Sequence, residues 1–143
     1  MTMYAETTDN SPARVALASD RAPRGRFDGA WWPRSRDFVT EIPPLLTALE
    51  GLGHFTRATV DLVLWPGVPR PFEITGLGRA MRWGGFAVGQ DPHRIVLYSV
   101  GGVKELLVIP PQTDPRVAAQ LMITACAANQ TRSATQLLDD SEG

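Results

Sequence analysis

The order of patterned segments predicts an α+β fold: a single domain with a mostly antiparallel, twisted sheet of about six strands, one inserted helix, and two C-terminal helices, all packed on one face. Three observations carry this expectation. Short stretches of alternating apolar and polar residues recur between Val15 and Ile109, punctuated by glycine and proline clusters. One stretch with helical spacing is inserted among them, between Asp37 and Gly53. Two more follow the last proline pair, Pro110-Pro111.

Residues 1–13 are polar and small and include Pro12, the composition of a disordered leader. Val15 and Leu17 alternate with small residues and predict a short strand over 14–18. A second strand covers 26–32 and stops at Pro33, which has no amide hydrogen for a ladder. Phe38, Ile42, Leu45, Leu46 and Leu49 follow helical spacing, but a residue preceding proline avoids the α region. The spacing therefore predicts one turn over 37–41, then a helix starting at Pro43 or Pro44 and ending at Gly51 or Gly53.

Ala58, Val60, Leu62 and Leu64 alternate with polar neighbours and predict a long strand over 54–65. A loop with three prolines follows, then a strand over 72–75, a bend at Gly76 and Gly78, and a strand over 79–83. A turn at 89–93 leads into a strand over 94–99, and Gly101-Gly102 reverses it into one over 105–109. Asp114-Pro115 starts a helix with the apolar stripe Val117, Ala118, Leu121, Met122 and Ala125. Thr131 caps a last helix carrying Ala134, Leu137 and Leu138, which leaves 14–138 as the domain and 139–143 as an acidic tail. The connection from Pro33 to Gly53 is long enough for a crossover, so the second and third strands can be parallel neighbours.

With 43% hydrophobic and 20% charged residues, the composition is that of an ordinary globular protein. No run reaches the roughly 18 apolar residues of a membrane span. The first residues lack the basic and apolar regions of a secretory signal. A single cysteine, Cys126, excludes an intramolecular disulfide. Together these point to the cytoplasm. Two histidines and one distant cysteine have no metal-ligand spacing, and Gly76-Leu77-Gly78 precedes no helix start that would cradle a phosphate. No metal, cofactor or catalytic group is therefore assigned, and the enzyme question leans towards no.

The densest segment runs from Arg24 to Asp37, where two adjacent tryptophans sit between two arginine pairs. In a continuous strand, alternation would gather Arg24, Arg26, Asp28, Trp32, Arg34 and Arg36 on one side. Phe27 and Trp31 would fall on the core side. Tryptophan and arginine are enriched at interface hot spots, so this face is the candidate surface for an unknown protein partner or for a second copy of the chain. The structural alternative is a charge ladder with Trp32 covered by other parts of the chain. Guanidinium and indole groups also suit nucleic acid, but a net charge of −1 and the lack of an RNA-binding signature argue against it. The other alternative is an enzyme or small-ligand protein whose pocket, between sheet and helices, is bordered by Trp83, Asp91 and His93. An Asp-Pro-His turn more simply uses the aspartate to bond its own backbone. The leading reading is a non-enzymatic binding or regulatory module of unknown function.

The run from Arg24-Gly25 through Asp28-Gly29-Ala30-Trp31-Trp32-Pro33-Arg34-Ser35-Arg36-Asp37 resembles the signature of a family of small actinobacterial proteins of unknown function. Asp91-Pro92-His93 and the block from Leu106 to Thr113 resemble that family's later blocks, so the likeness spans about residues 14–138. The resemblance implies an actinobacterial cytoplasmic protein. It supplies no activity and no functional residues.

Overall fold

The computed structural model describes residues 12–18, 25–68, 81–128 and 130–142. The strands are β1 (Val15–Leu17), β2 (Gly29–Trp31), β3 (Phe55–Val60), β4 (Arg82–Gly85), β5 (Arg94–Ser99) and β6 (Gly102–Val108). The helices are α1 (Phe38–Ala48), α2 (Pro115–Ala125) and α3 (Ala134–Glu142), with a short 3-10 turn at Glu50–Leu52. The expected strand over 72–75 lies outside the described residues.

The six strands among the described residues form one sheet in the order β1-β2-β6-β5-β3-β4. It is mixed rather than mostly antiparallel, because β2 runs parallel to β6 and β3 parallel to β4. The second and third strands are not neighbours. The β5–β6 hairpin inserts between them, so the crossover through α1 spans two intervening strands.

The helices do not share a face. Phe38, Ile42, Leu45 and Leu46 of α1 join Trp31, Ala58, Val60, Ile95, Leu97, Leu106 and Val108 in one core. Ala118, Leu121 and Ala125 of α2, with Ala134, Leu137 and Leu138 of α3, join Phe27, Ala30, Leu107 and Ile109 in another. Ala30 and Leu107 belong to one core and Trp31, Leu106 and Val108 to the other, so β2 and the end of β6 are buried on both sides. The unbroken run Leu106-Leu107-Val108-Ile109 is what a doubly covered strand requires.

Local chemistry moves several boundaries. Helix α1 begins at Phe38 and carries Pro43 and Pro44 inside it. Its first turn closes through Thr40 and Glu41 amides donating to the Asp37 carbonyl. Interior prolines cost on the order of 3 kcal/mol. Full burial of an apolar side chain contributes about 1.5–3 kcal/mol, and four such residues of α1 are buried. Packing therefore overrides the pre-proline preference. Strand β3 stops at Val60 because the Asp61 carboxylate accepts the Val63 and Leu64 amides, at 2.8 and 3.0 Å, and turns the chain. Asp114 caps α2 as expected, accepting the Arg116 amide at 2.8 Å. Helix α3 is capped by Ser133 rather than Thr131. Gln136 donates its amide to the Ser133 hydroxyl at 3.2 Å, and its side-chain oxygen accepts the Ser133 amide at 2.8 Å. The helix continues through Asp139 and Asp140, residues read from the sequence as a tail.

Candidate functional site

The arginine–tryptophan segment does not form a continuous strand. Among its described residues only Gly29–Trp31 is a strand. Just before, Asp28 holds Glu105 through backbone and side chain together: its amide donates to the Glu105 carbonyl and its Oδ2 accepts the Glu105 amide, at 2.8 Å each, while its own carbonyl accepts from Ala18. The β2–β6 register begins only at Gly29, and the parity breaks before it. Phe27 lies in the α2–α3 core and Trp31 in the α1 core, on opposite sides of the sheet. Gly25 and Gly29 have no room for a Cβ, which would collide with the Ala127 and Ala16 carbonyl oxygens.

The expected partner residues are consequently dispersed. Trp32 packs against the α2–α3 core, and its indole N–H is shared between the Pro110 and Pro111 carbonyls at 3.1 and 3.3 Å. The guanidinium stacked on it, 3.6 Å from the ring centre, is that of Arg14, which also donates to the Trp32 and Pro33 carbonyls at 2.9 Å each. Arg34 is exposed and donates to the Pro12 carbonyl at 2.8 Å. Arg36 leans over Trp65, a member of the α1 core, at 5.9 Å. Burial lowers the pKa of Arg36; burial, then the neighbouring Arg34 charge, lower that of Arg14, partly opposed by Glu41. Arg26 is exposed near Gln130, whose carbonyl accepts its amide at 2.7 Å. Arg24 lies outside the described residues. Arg14 escaped sequence reasoning, although the β1–β2 register that pairs Val15 with Trp31 brings Arg14 and Trp32 together at its end.

Trp83 and Asp91 are engaged by different elements. Trp83 is buried in the α1 core, edge-on to Phe38 at 4.4 Å, and its indole nitrogen has no hydrogen-bond partner among the described residues. Asp91 points to α3 instead. It accepts the Thr135 amide and hydroxyl at 2.9 Å each, and the His93 amide at 3.1 Å, fastening the β4–β5 loop to the first turn of the helix. Burial opposes ionisation of Asp91, but the donors from Thr135 and His93 outweigh it, so its pKa is lowered. Cys126 is half-buried, and burial raises its pKa. Among the described residues no cluster of three His, Cys, Asp or Glu side chains is placed to hold a metal.

An arginine–aromatic row does form, on other strands. Side chains opposite to the α1-facing Ala58, Trp83 and Leu97 include Arg57, Arg82 and Tyr98. The register aligns Arg82 with Arg57, Arg57 with Tyr98, and Tyr98 with Val103, making one row across four neighbouring strands. Arg57 and Arg82 are exposed and Val103 is 47% exposed. The Arg57 guanidinium lies 4.5 Å from the Tyr98 ring centre. Nearby, Arg94 stacks on Phe86 at 4.2 Å and is neutralised by Glu105 at 3.1 Å. Arg57 and Arg82 make no ion pair with any described residue.

A comparison with family models gives a match over residues 14–125. The chain belongs to DUF5994, a family of unknown function. Comparisons with curated proteins and with solved structures give no match. The DUF5994 segment contains all six strands, α1 and α2, and ends on the last residue of α2. Helix α3, whose first turn Asp91 holds, lies beyond it. No helix among the described residues is long and apolar enough to cross a membrane.

Proposed function

We propose that this protein is a non-enzymatic binding module that receives an acidic segment of a protein partner on the outward row Arg82–Arg57–Tyr98. The observation that carries this reading is the placement of Arg57 and Arg82 directly opposite each other on adjacent strands, with no ion pair to any described residue. Like charges so placed destabilise a sheet, and departures from such local rules are expected where function needs them. A carboxylate pair bridging the two guanidinium groups would relieve the repulsion through charge-assisted hydrogen bonds. Tyr98 and Val103 supply apolar area beside them. A lone cysteine suits a reducing, cytoplasmic setting for this role.

The test is titration of a glutamate-rich peptide into the wild-type protein and into the Arg57→Glu and Arg82→Glu variants, at low and moderate salt. Saturable, salt-sensitive binding lost in both variants is the expected result. Equal binding by the variants, or a preference for single-stranded oligonucleotide over the peptide, overturns the reading.

A further inference from the structure

We infer that the Arg57–Arg82 pair receives a phosphorylated side chain, of the phosphoserine type, carried within the acidic segment. This rests on the reading above and narrows it. Arg57 and Thr59 share the outward face of β3, as Arg82 and Gly84 share that of β4. The register sets Arg57 opposite Arg82 and Thr59 opposite Gly84. Two adjoining rows result: a pair of guanidinium groups, and beside it a hydroxyl facing a residue with no side chain. The Thr59 hydroxyl makes no hydrogen bond with any described residue. A Cβ at Gly84 would meet no described atom within 4 Å, so a notch opens next to that hydroxyl. Acids adjoining the site are committed elsewhere. Asp61, two residues beyond Thr59, accepts the Val63 and Leu64 amides, and Glu105, aligned with Thr59 across Val96, is paired with Arg94.

Charge and spacing name the occupant. Neighbouring strands stand about 4.8 Å apart, whereas same-face side chains of an extended peptide recur about every 6.8 Å. A single dianionic group therefore matches the arginine pair more closely than two successive carboxylates do. One carboxylate alone would neutralise half of the pair's charge. A phosphoryl group carries about −1.5 to −2 charge and three acceptor oxygens on one atom. It can engage both guanidinium groups through charge-assisted bonds and still leave an oxygen for the Thr59 hydroxyl. A phosphodiester, with one negative charge and two free oxygens, fits less well. A short phosphorylated side chain also brings its own backbone near the sheet, and the notch at Gly84 gives room for that approach.

Two glutamate-rich peptides, identical except for a central phosphoserine or glutamate, are titrated by calorimetry into the full chain and into Thr59→Val and Gly84→Leu. A single-stranded oligonucleotide is the competing source of phosphate. Both variants keep the two arginines. Valine preserves the shape of Thr59, Gly84 has no positive φ, and thermal melts confirm that the variants fold. The phosphoserine peptide is expected to bind wild type about tenfold or more tightly than the glutamate peptide. Each variant should lose most of that margin while holding its affinity for the glutamate peptide within about twofold. Equal affinity of the two peptides for wild type overturns this inference and leaves the acidic-segment reading standing. A margin unchanged in both variants does the same. Absence of binding by both peptides, or tighter binding of the oligonucleotide, overturns the two readings together.

Discussion

Trp32 is held by three elements at once: the Arg14 guanidinium on its ring, two proline carbonyls at its indole nitrogen, and the α2–α3 core beneath it. Trp32→Ala should therefore lower stability by about 2–4 kcal/mol, combining lost packing with a lost hydrogen bond. A denaturant midpoint unchanged from wild type would refute this. At Asp91 the effect is pH-dependent. Its pKa in the folded protein lies below the unfolded value of about 3.9, so its contribution is fully present above that value and is lost as pH falls through the folded pKa. Asp91→Asn should melt well below wild type at neutral pH, and the gap should close progressively on acidification below about pH 4. A gap independent of pH would mean that the carboxylate charge is not what fastens the loop to α3.

At the scale of elements, α1 is the case where local preference and packing disagree. Pro43 and Pro44 each leave a carbonyl of the preceding turn without its helical partner, yet the helix passes through them on the strength of Phe38, Ile42, Leu45 and Leu46. Pro43→Ala and Pro44→Ala should each stabilise the protein by on the order of 1–2 kcal/mol, less than the full propensity difference because both rings are half-buried. Loss of stability in both, measured by urea unfolding, would show that the rings' packing matters more than the missing amides. Helix α2 is the contrasting case. Its start at Asp114-Pro115 and its apolar stripe were legible because cap, proline and periodicity agree. Strand β3 was read too long because Leu62 and Leu64 continue the alternation, while the Asx turn at Asp61 depends on a side-chain hydrogen bond that periodicity does not register.

For the whole molecule, the strand order decides where charge collects. Arg57 and Arg82 lie far apart in the chain and become neighbours only because β4 pairs with β3 at the edge of the sheet. If their repulsion serves partner binding, Arg82→Glu should separate stability from function. It converts a like-charge pair into an opposite-charge one, a gain of about 0.2–1 kcal/mol, while abolishing capture of the acidic peptide. A variant that is less stable than wild type and still binds would contradict both halves of that expectation.

The α+β class followed from the residues themselves, because period-2 and period-3.6 patterns are written locally and a strand or helix needs only its own neighbours to declare itself. The same holds for the cap at Asp114 and the turn at Asp91. The order of the strands, the division of the helices between two faces, and the scattering of the Arg24–Arg36 segment belong to the tertiary structure alone. Alternation assigns a side chain to one of two faces only while the strand continues. Asp28, where the regular strand gives out just before β2, is held by amide and carboxylate to Glu105, a residue far along the chain. Likewise the Arg82–Arg57–Tyr98 row exists only through hydrogen bonds between strands, which no single strand's sequence specifies.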